Sequence, residues 1–171
     1  VQEPALLYPL LKSGNPGLVI RALHFFAEMP VYETWPHRSL ISAEMRPSLA
    51  EAFRGLLLNH ADARVRYMAA DLLYKKRLLE INDIDLMLSD RSLAIRELGV
   101  THTHSIARYL EARRYDDSEY QRVRIGIHGG DLSEPSHAIK KALIPILLNH
   151  LDDHHVYIRT ACYDTFVDLI K

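Results

Sequence analysis

Along most of the chain, apolar positions recur every three to four residues, the period of a helix with one buried face. Short polar or Pro/Gly-rich stretches interrupt the pattern. It predicts helices over 4–12, 18–28, 48–59, 63–76 and 83–89. A longer helix starts at Ser92 and either runs to Arg113 or breaks near His102, where Val100, Thr101 and Thr103 are β-branched. Two more helices follow, over 136–151 and 154–170. Pro4 suits the first turn of a helix, where its missing N–H costs nothing. Residues 13–17, Ser-Gly-Asn-Pro-Gly, are a dense turn signal. Residues 29–38 hold two prolines and read as a loop, and a short helical piece from Ser39 precedes Pro47. Residues 114–133 carry Gly126, Gly129 and Gly130 and read mainly as an irregular insert. Only 123–127 alternates in the manner of a strand, which is too short and isolated to build a sheet. The predicted fold class is all-α.

A signature repeats through this pattern. A turn residue is followed six positions later by an Arg preceded by Ile or Val. The copies are Asn15 to Ile20-Arg21, His60 to Val65-Arg66, Asp90 to Ile95-Arg96 and Asp153 to Ile158-Arg159. Each follows an apolar segment rich in Leu. The arginines lie 45, 30 and 63 residues apart, and Val123-Arg124 is a candidate fifth copy inside the last interval, within 117–128. Two leading segments carry an internal proline, at Pro9 and Pro145, where a helix loses a hydrogen bond and bends.

With its Pro-containing first helix, its turn with Asp or Asn, and its second helix opening on Val/Ile-Arg, the chain resembles the HEAT repeat family. The resemblance covers most of the chain outside 29–38 and 114–133. It departs from the regular pattern in its uneven spacing and its insert. It implies a single α-α superhelix over 1–171, a solenoid of about four to five stacked helical hairpins; the look of the chain ends adds the expectation that it is a fragment of a longer protein. It also implies that Arg21, Arg66, Arg96 and Arg159 form a structural ladder, each bonding a turn carboxylate or carbonyl of a neighbouring repeat. Nothing in the resemblance calls for a cofactor. Some HEAT-like enzymes are di-iron hydroxylases built on His-Glu pairs, and this chain has no His-Glu dipeptide. DNA alkylation-repair glycosylases and bilin lyases are other HEAT-like branches.

Charge narrows the partner class. The 21 basic and 22 acidic side chains give a net charge of −1, where a nucleic-acid binder usually carries a basic excess. Residues 58–114 hold 10 basic and 8 acidic groups, the only third with a basic surplus. A nucleic-acid reading therefore needs Arg64, Lys75, Lys76, Arg108, Arg113 and Arg114 gathered into one patch. The single cysteine, Cys162, excludes an intramolecular disulfide and sits in an apolar pattern, as a buried inert thiol would. No apolar run is long enough to span a bilayer, and no signal-peptide grammar opens the chain. These features predict a cytoplasmic protein. Both ends look cut.

Catalytic constellations are weak. His150, His154 and His155 cluster, yet Leu151 stands where a zincin's Glu would, so a capped turn is expected rather than a metal site. His102 and His104, two apart on a helix, face different ways. Gly129-Gly130 lacks the strand, helix and Lys of a phosphate loop. What remains is surface. Second helices of solenoids usually line the concave face, and their outward positions lie two, five, six and nine residues beyond each Ile/Val. These positions are Tyr67, Ala70, Asp71 and Tyr74; Glu97, Val100, Thr101 and His104; and Thr160, Tyr163, Asp164 and Val167. From these, Tyr67, Asp71, Tyr74, Glu97, His104, Tyr163 and Asp164 are the candidate binding residues, with Tyr32 and Trp35 as loop anchors. Tyrosine is large, amphipathic and cheap to order at an interface. The expected function is a non-enzymatic scaffold that binds another protein or flanking domains of its own chain; the alternative is a nucleic-acid-binding HEAT-like solenoid.

Overall fold

The computed structural model describes residues 4–29, 44–112, 123–124, 131–132 and 136–170. The described residues are almost entirely helical. In order they form α1 (Pro4–Leu7), a 3-10 helix (Tyr8–Lys12), α2 (Pro16–Glu28), α3 (Met45–Asn59), α4 (Ala63–Lys75), α5 (Ile81–Leu88), α6 (Leu93–Ala112), α7 (Ser136–Asn149) and α8 (Val156–Ile170). The chain divides into two compact units, Val1–Leu79 and Glu80–Lys171.

In the first unit α3 and α4 form an antiparallel-order hairpin, α2 packs on α4, and the 3-10 helix packs on α2 and α3. The core holds Val19, Leu23 and Phe26 of α2, Leu49, Phe53 and Leu57 of α3, and Val65, Ala69 and Leu72 of α4. Phe26 and Phe53 meet edge to face at 5.9 Å, the favourable geometry for two ring quadrupoles. Pro9 ends the first α-helix, because the ring removes a donor, and the chain tightens to 3-10 geometry instead of bending within one helix over 4–12. Pro47 lies inside the first turn of α3, where its absent N–H is harmless, and not ahead of the helix as expected. The end of α4 is a Schellman turn: Leu78 N–H reaches Leu73 O at 2.8 Å and Arg77 N–H reaches Tyr74 O at 3.0 Å. Arg77 takes the left-handed position with φ 56°, a place that glycine usually fills.

In the second unit α5 pairs with α6 and α7 with α8, and the two hairpins pack through α6 on α8 and α5 on α7. Ile84, Met87 and Leu88, Ile95 and Ile106, Ile139, Leu143 and Leu147, and Ile158, Cys162 and Leu169 are buried. α6 runs unbroken through His102. Its β-branched and hydroxyl residues are accommodated by bonds back to the preceding turn: Thr101, Thr103 and Ser105 hydroxyls donate to the carbonyls of Glu97, Gly99 and Thr101 at 2.7–2.9 Å. Pro145 stays inside α7. Lys140 Nζ donates to Leu169 O at 3.1 Å, tying α7 to the carbonyl end of α8.

Val123–Arg124 and Asp131–Leu132 form a two-residue antiparallel ladder. Extended backbone at Val123-Arg124 cannot open a second helix, so the candidate fifth copy of the signature is not one.

Candidate functional site

An Asx turn closes each of the four helix entries, in two registers: Asn15 and Asp62 directly precede their helices, and Asp90 and Asp153 stand three residues ahead of theirs. In each of the four copies an Asn or Asp side chain accepts the backbone N–H two residues on. The pairs are Asn15 to Gly17 at 2.9 Å, Asp62 to Arg64 at 2.9 Å, Asp90 to Ser92 at 2.7 Å and Asp153 to His155 at 2.8 Å. A short carboxylate or amide closes a tight turn in this way and stiffens the helix entry.

Three of the four signature arginines then lock the turn from the helix side. Arg66 Nη1 donates to His60 O and Ala61 O, both at 2.9 Å. Arg96 Nη1 donates to Asp90 O at 2.9 Å and Arg159 Nη1 to Asp153 O at 2.6 Å. Each reaches the carbonyl six residues back, so the bond is to the arginine's own turn rather than a neighbour's. Arg96 also reaches the next hairpin: its Nε lies 3.1 Å from Asp153 Oδ2, and both side chains are buried. Arg21 does not join the ladder. Counted from the first helical residue, Arg66, Arg96 and Arg159 are all fourth. The fourth residue of α2 is Val19, fully buried, and Arg21 two places on is exposed. The first hairpin keeps the turn and replaces the lock with an aliphatic side chain.

The histidine cluster is parcelled out among these contacts. His150 Nε2 lies 3.0 Å from Asp85 Oδ1 of α5. His154 Nε2 lies 3.1 Å from Arg96 Nη2, and the His155 backbone is held by Asp153. Among the described residues no group of three or more His, Cys, Asp or Glu is placed to hold a metal ion. His102 is buried and His104 exposed, as two residues two apart on a helix must be. Cys162 is buried, and desolvation with help from Asp153 pushes its thiol up to about 11.

The outward rows come out in part as expected. Tyr67 is exposed, and Asp71 and Tyr74 are half-buried, spaced i, i+4, i+7 on one face of α4. Asp71 pairs with Lys75 at 2.7 Å. On α6 the matching row is Glu97, Thr101 and His104, all exposed; on α8 it is Thr160 and Asp164, exposed, with Val167 half-buried. Since α6 packs on α8, those two rows lie on neighbouring helices. The positions five beyond the Ile/Val do not belong with them. Ala70 and Val100 are buried, and only Tyr163 at that position is exposed. Tyr32 and Trp35 lie outside the described residues, as do Arg113 and Arg114.

Lys76, counted above toward a basic patch, is buried at 2 % exposure and serves structure. Its Nζ donates to Ala27 O at 3.0 Å and to Met29 O, capping the carbonyl end of α2. Burial, then the neighbouring Lys75 charge, lowers its pKa to about 8. Arg64 is tied to Asp62 at 2.7 Å, and that side-chain bond holds the Asp62 carboxyl down at about 2. The basic patch thus loses one member and has another neutralised locally.

One feature escaped the sequence reading. In the first unit, a cleft of about 290 Å³ is lined by residues that include Tyr8, Lys12, Glu51, Ala52 and Gly55. Lys12 Nζ stands 5.2 Å from the Tyr8 ring centre. The small residues Ala52 and Gly55, three apart on α3, are the signal that marks it.

Compared with known protein families, curated proteins and solved structures, the chain matches none. Among the described residues no helix is long and apolar enough to cross a membrane.

Proposed function

We propose that the chain is a HEAT-like α-solenoid that works as a non-enzymatic, cytoplasmic protein-binding scaffold. The repeated turn, Asx-closed and locked by an Arg reaching six residues back, supports the repeat reading in three hairpins. Second helix packs on second helix within each unit, and first on first in the second unit, as stacking requires.

The observation that carries the functional reading is the outward row on the second helices. Tyr67, Asp71 and Tyr74 on α4 repeat as Glu97, Thr101 and His104 on α6, all at least partly accessible. Amphipathic and acidic side chains on exposed helix surfaces suit a protein partner better than a polyanion.

The test is affinity capture from source lysate by wild type and by Tyr67→Ala/Asp71→Ala, with and without nuclease. A protein retained by wild type after nuclease, and lost from a variant with an unchanged helical melt, is the expected result. Recovery that disappears with nuclease favours the nucleic-acid alternative.

A further inference from the structure

The outer face of α8 resembles a surface built to be covered. Numbered from the first residue of each helix, positions 8, 11 and 15 of α6 are Val100, Thr103 and Ala107. All three are buried, at 5 %, 0 % and 3 % exposure, on a helix against which α8 packs. The same positions of α8 are Tyr163, Phe166 and Ile170. There Tyr163 and Ile170 are 56 % and 57 % exposed and Phe166 is half-buried. α8 therefore carries larger side chains than α6 at these three places, and leaves two of them exposed and the third half-buried.

A charge marks the same face. Arg96 satisfies its own turn through Asp90 O and extends Nε to Asp153, in the turn of the next hairpin. Arg159 is the equivalent residue of α8 and satisfies its own turn through Asp153 O. Among the described residues it has no carboxylate.

We propose that the face of α8 bearing Tyr163, Phe166, Ile170 and Arg159 docks a further helical hairpin whose turn presents an Asp or Glu to Arg159, as Asp153 is presented to Arg96. This deepens the scaffold reading and rests on it. The chemistry also says which hairpin is excluded. The first turn of this chain, Ser13-Gly14-Asn15-Pro16-Gly17, offers no carboxylate, so head-to-tail addition of a second copy lacks the charge partner.

The test supplies the hairpin. Residues 109–171 appended directly after Lys171 carry the chain's own connecting segment with α7 and α8, and so supply a second Asp153-bearing hairpin. The expected result is that amide hydrogen exchange over 156–170 slows at least about tenfold relative to the parent chain. Asp153→Asn in the appended copy alone should give back most of that slowing, because it removes the charge and keeps the side-chain shape. Unchanged exchange overturns the proposal. So does an appended segment that circular dichroism finds unfolded, since the same segment folds against α6. A parent chain that sediments as a dimer dissolved by Ile170→Glu also overturns it, because a second copy then covers the face. The assay needs no natural partner, so its failure is separable from failure of the row on α4 and α6 to bind protein.

Discussion

Asp153→Asn is the most informative single substitution for the stability of the second unit. Asp153 sits at the junction of two hairpins: one carboxylate oxygen closes its own turn at His155, and the other faces Arg96 Nε at 3.1 Å. The two side chains are only 7 % and 5 % exposed. At that separation and an effective dielectric near 20, the gross attraction is about 5 kcal/mol. Desolvation offsets much of it, yet breaking one side of a buried pair typically costs about 3–5 kcal/mol because the other charge is left stranded. Arg96 keeps the Asp90 carbonyl and a contact to His154, and Asn can still accept from His155, so the lower end applies. The expected loss is about 3 kcal/mol in the second unit. Urea unfolding followed by amide exchange over α5–α8 measures it. Arg96→Met/Asp153→Asn should cost less than Asp153→Asn alone, since no charge is then stranded. A loss below about 1 kcal/mol, or a double variant whose losses simply add, would refute the reasoning.

Two glycines predict opposite signs. A Cβ on Gly99 would stand 2.9 Å from Met87 Cβ, so Gly99→Ala must force α5 and α6 apart and should destabilise by about 1–2 kcal/mol after the gain in helix propensity. Gly55 has open space, and Gly55→Ala should stabilise by about 0.5–1 kcal/mol; thermal melts check both. Lys76 has its pKa lowered from 10.5 to about 8, so the folded state disfavours its charge. Stability of the first unit should rise between about pH 8 and 10.5 as the unfolded chain alone retains the proton, and Lys76→Met should lack that increment. Cys162, buried and raised to about 11, should resist a thiol reagent at pH 8 until the second unit unfolds.

The helices were legible because their apolar periods are long and their turns are punctuated by Asn, Asp, Gly and Pro. Boundaries moved where a residue's role depends on a neighbour. Pro47 reads as a stop and sits in a first turn, and Val100 to Thr103 read as a break that back-bonded hydroxyls heal. The arginine lock was legible in spacing, and its partner was not, because a carbonyl has no sequence signature. Arg21 fits the spacing and misses the register, since α2 begins five residues before it while the other second helices begin three before their arginines, and Val19 takes the place they give to Arg. Lys76 looked like surface charge because nothing in sequence indicates that the carbonyl end of α2 lies above it. Tyr163 looked like one more member of the outward row, and only the burial of Ala70 and Val100 at the equivalent position reassigns it to a stacking face.

Side-chain oxidative footprinting of the chain with its captured partner bound addresses the central claim, that the second helices carry the binding face. Tyr67 and Tyr74 lie on the outward row of α4 and His104 on that of α6, while Leu58 of α3 and Leu148 of α7 are exposed on first helices, at 62 % and 46 %. The account predicts protection of Tyr67, Tyr74 and His104, with Leu58 and Leu148 oxidised as in the free chain. Protection of Leu58 and Leu148 with the tyrosines unchanged would contradict it.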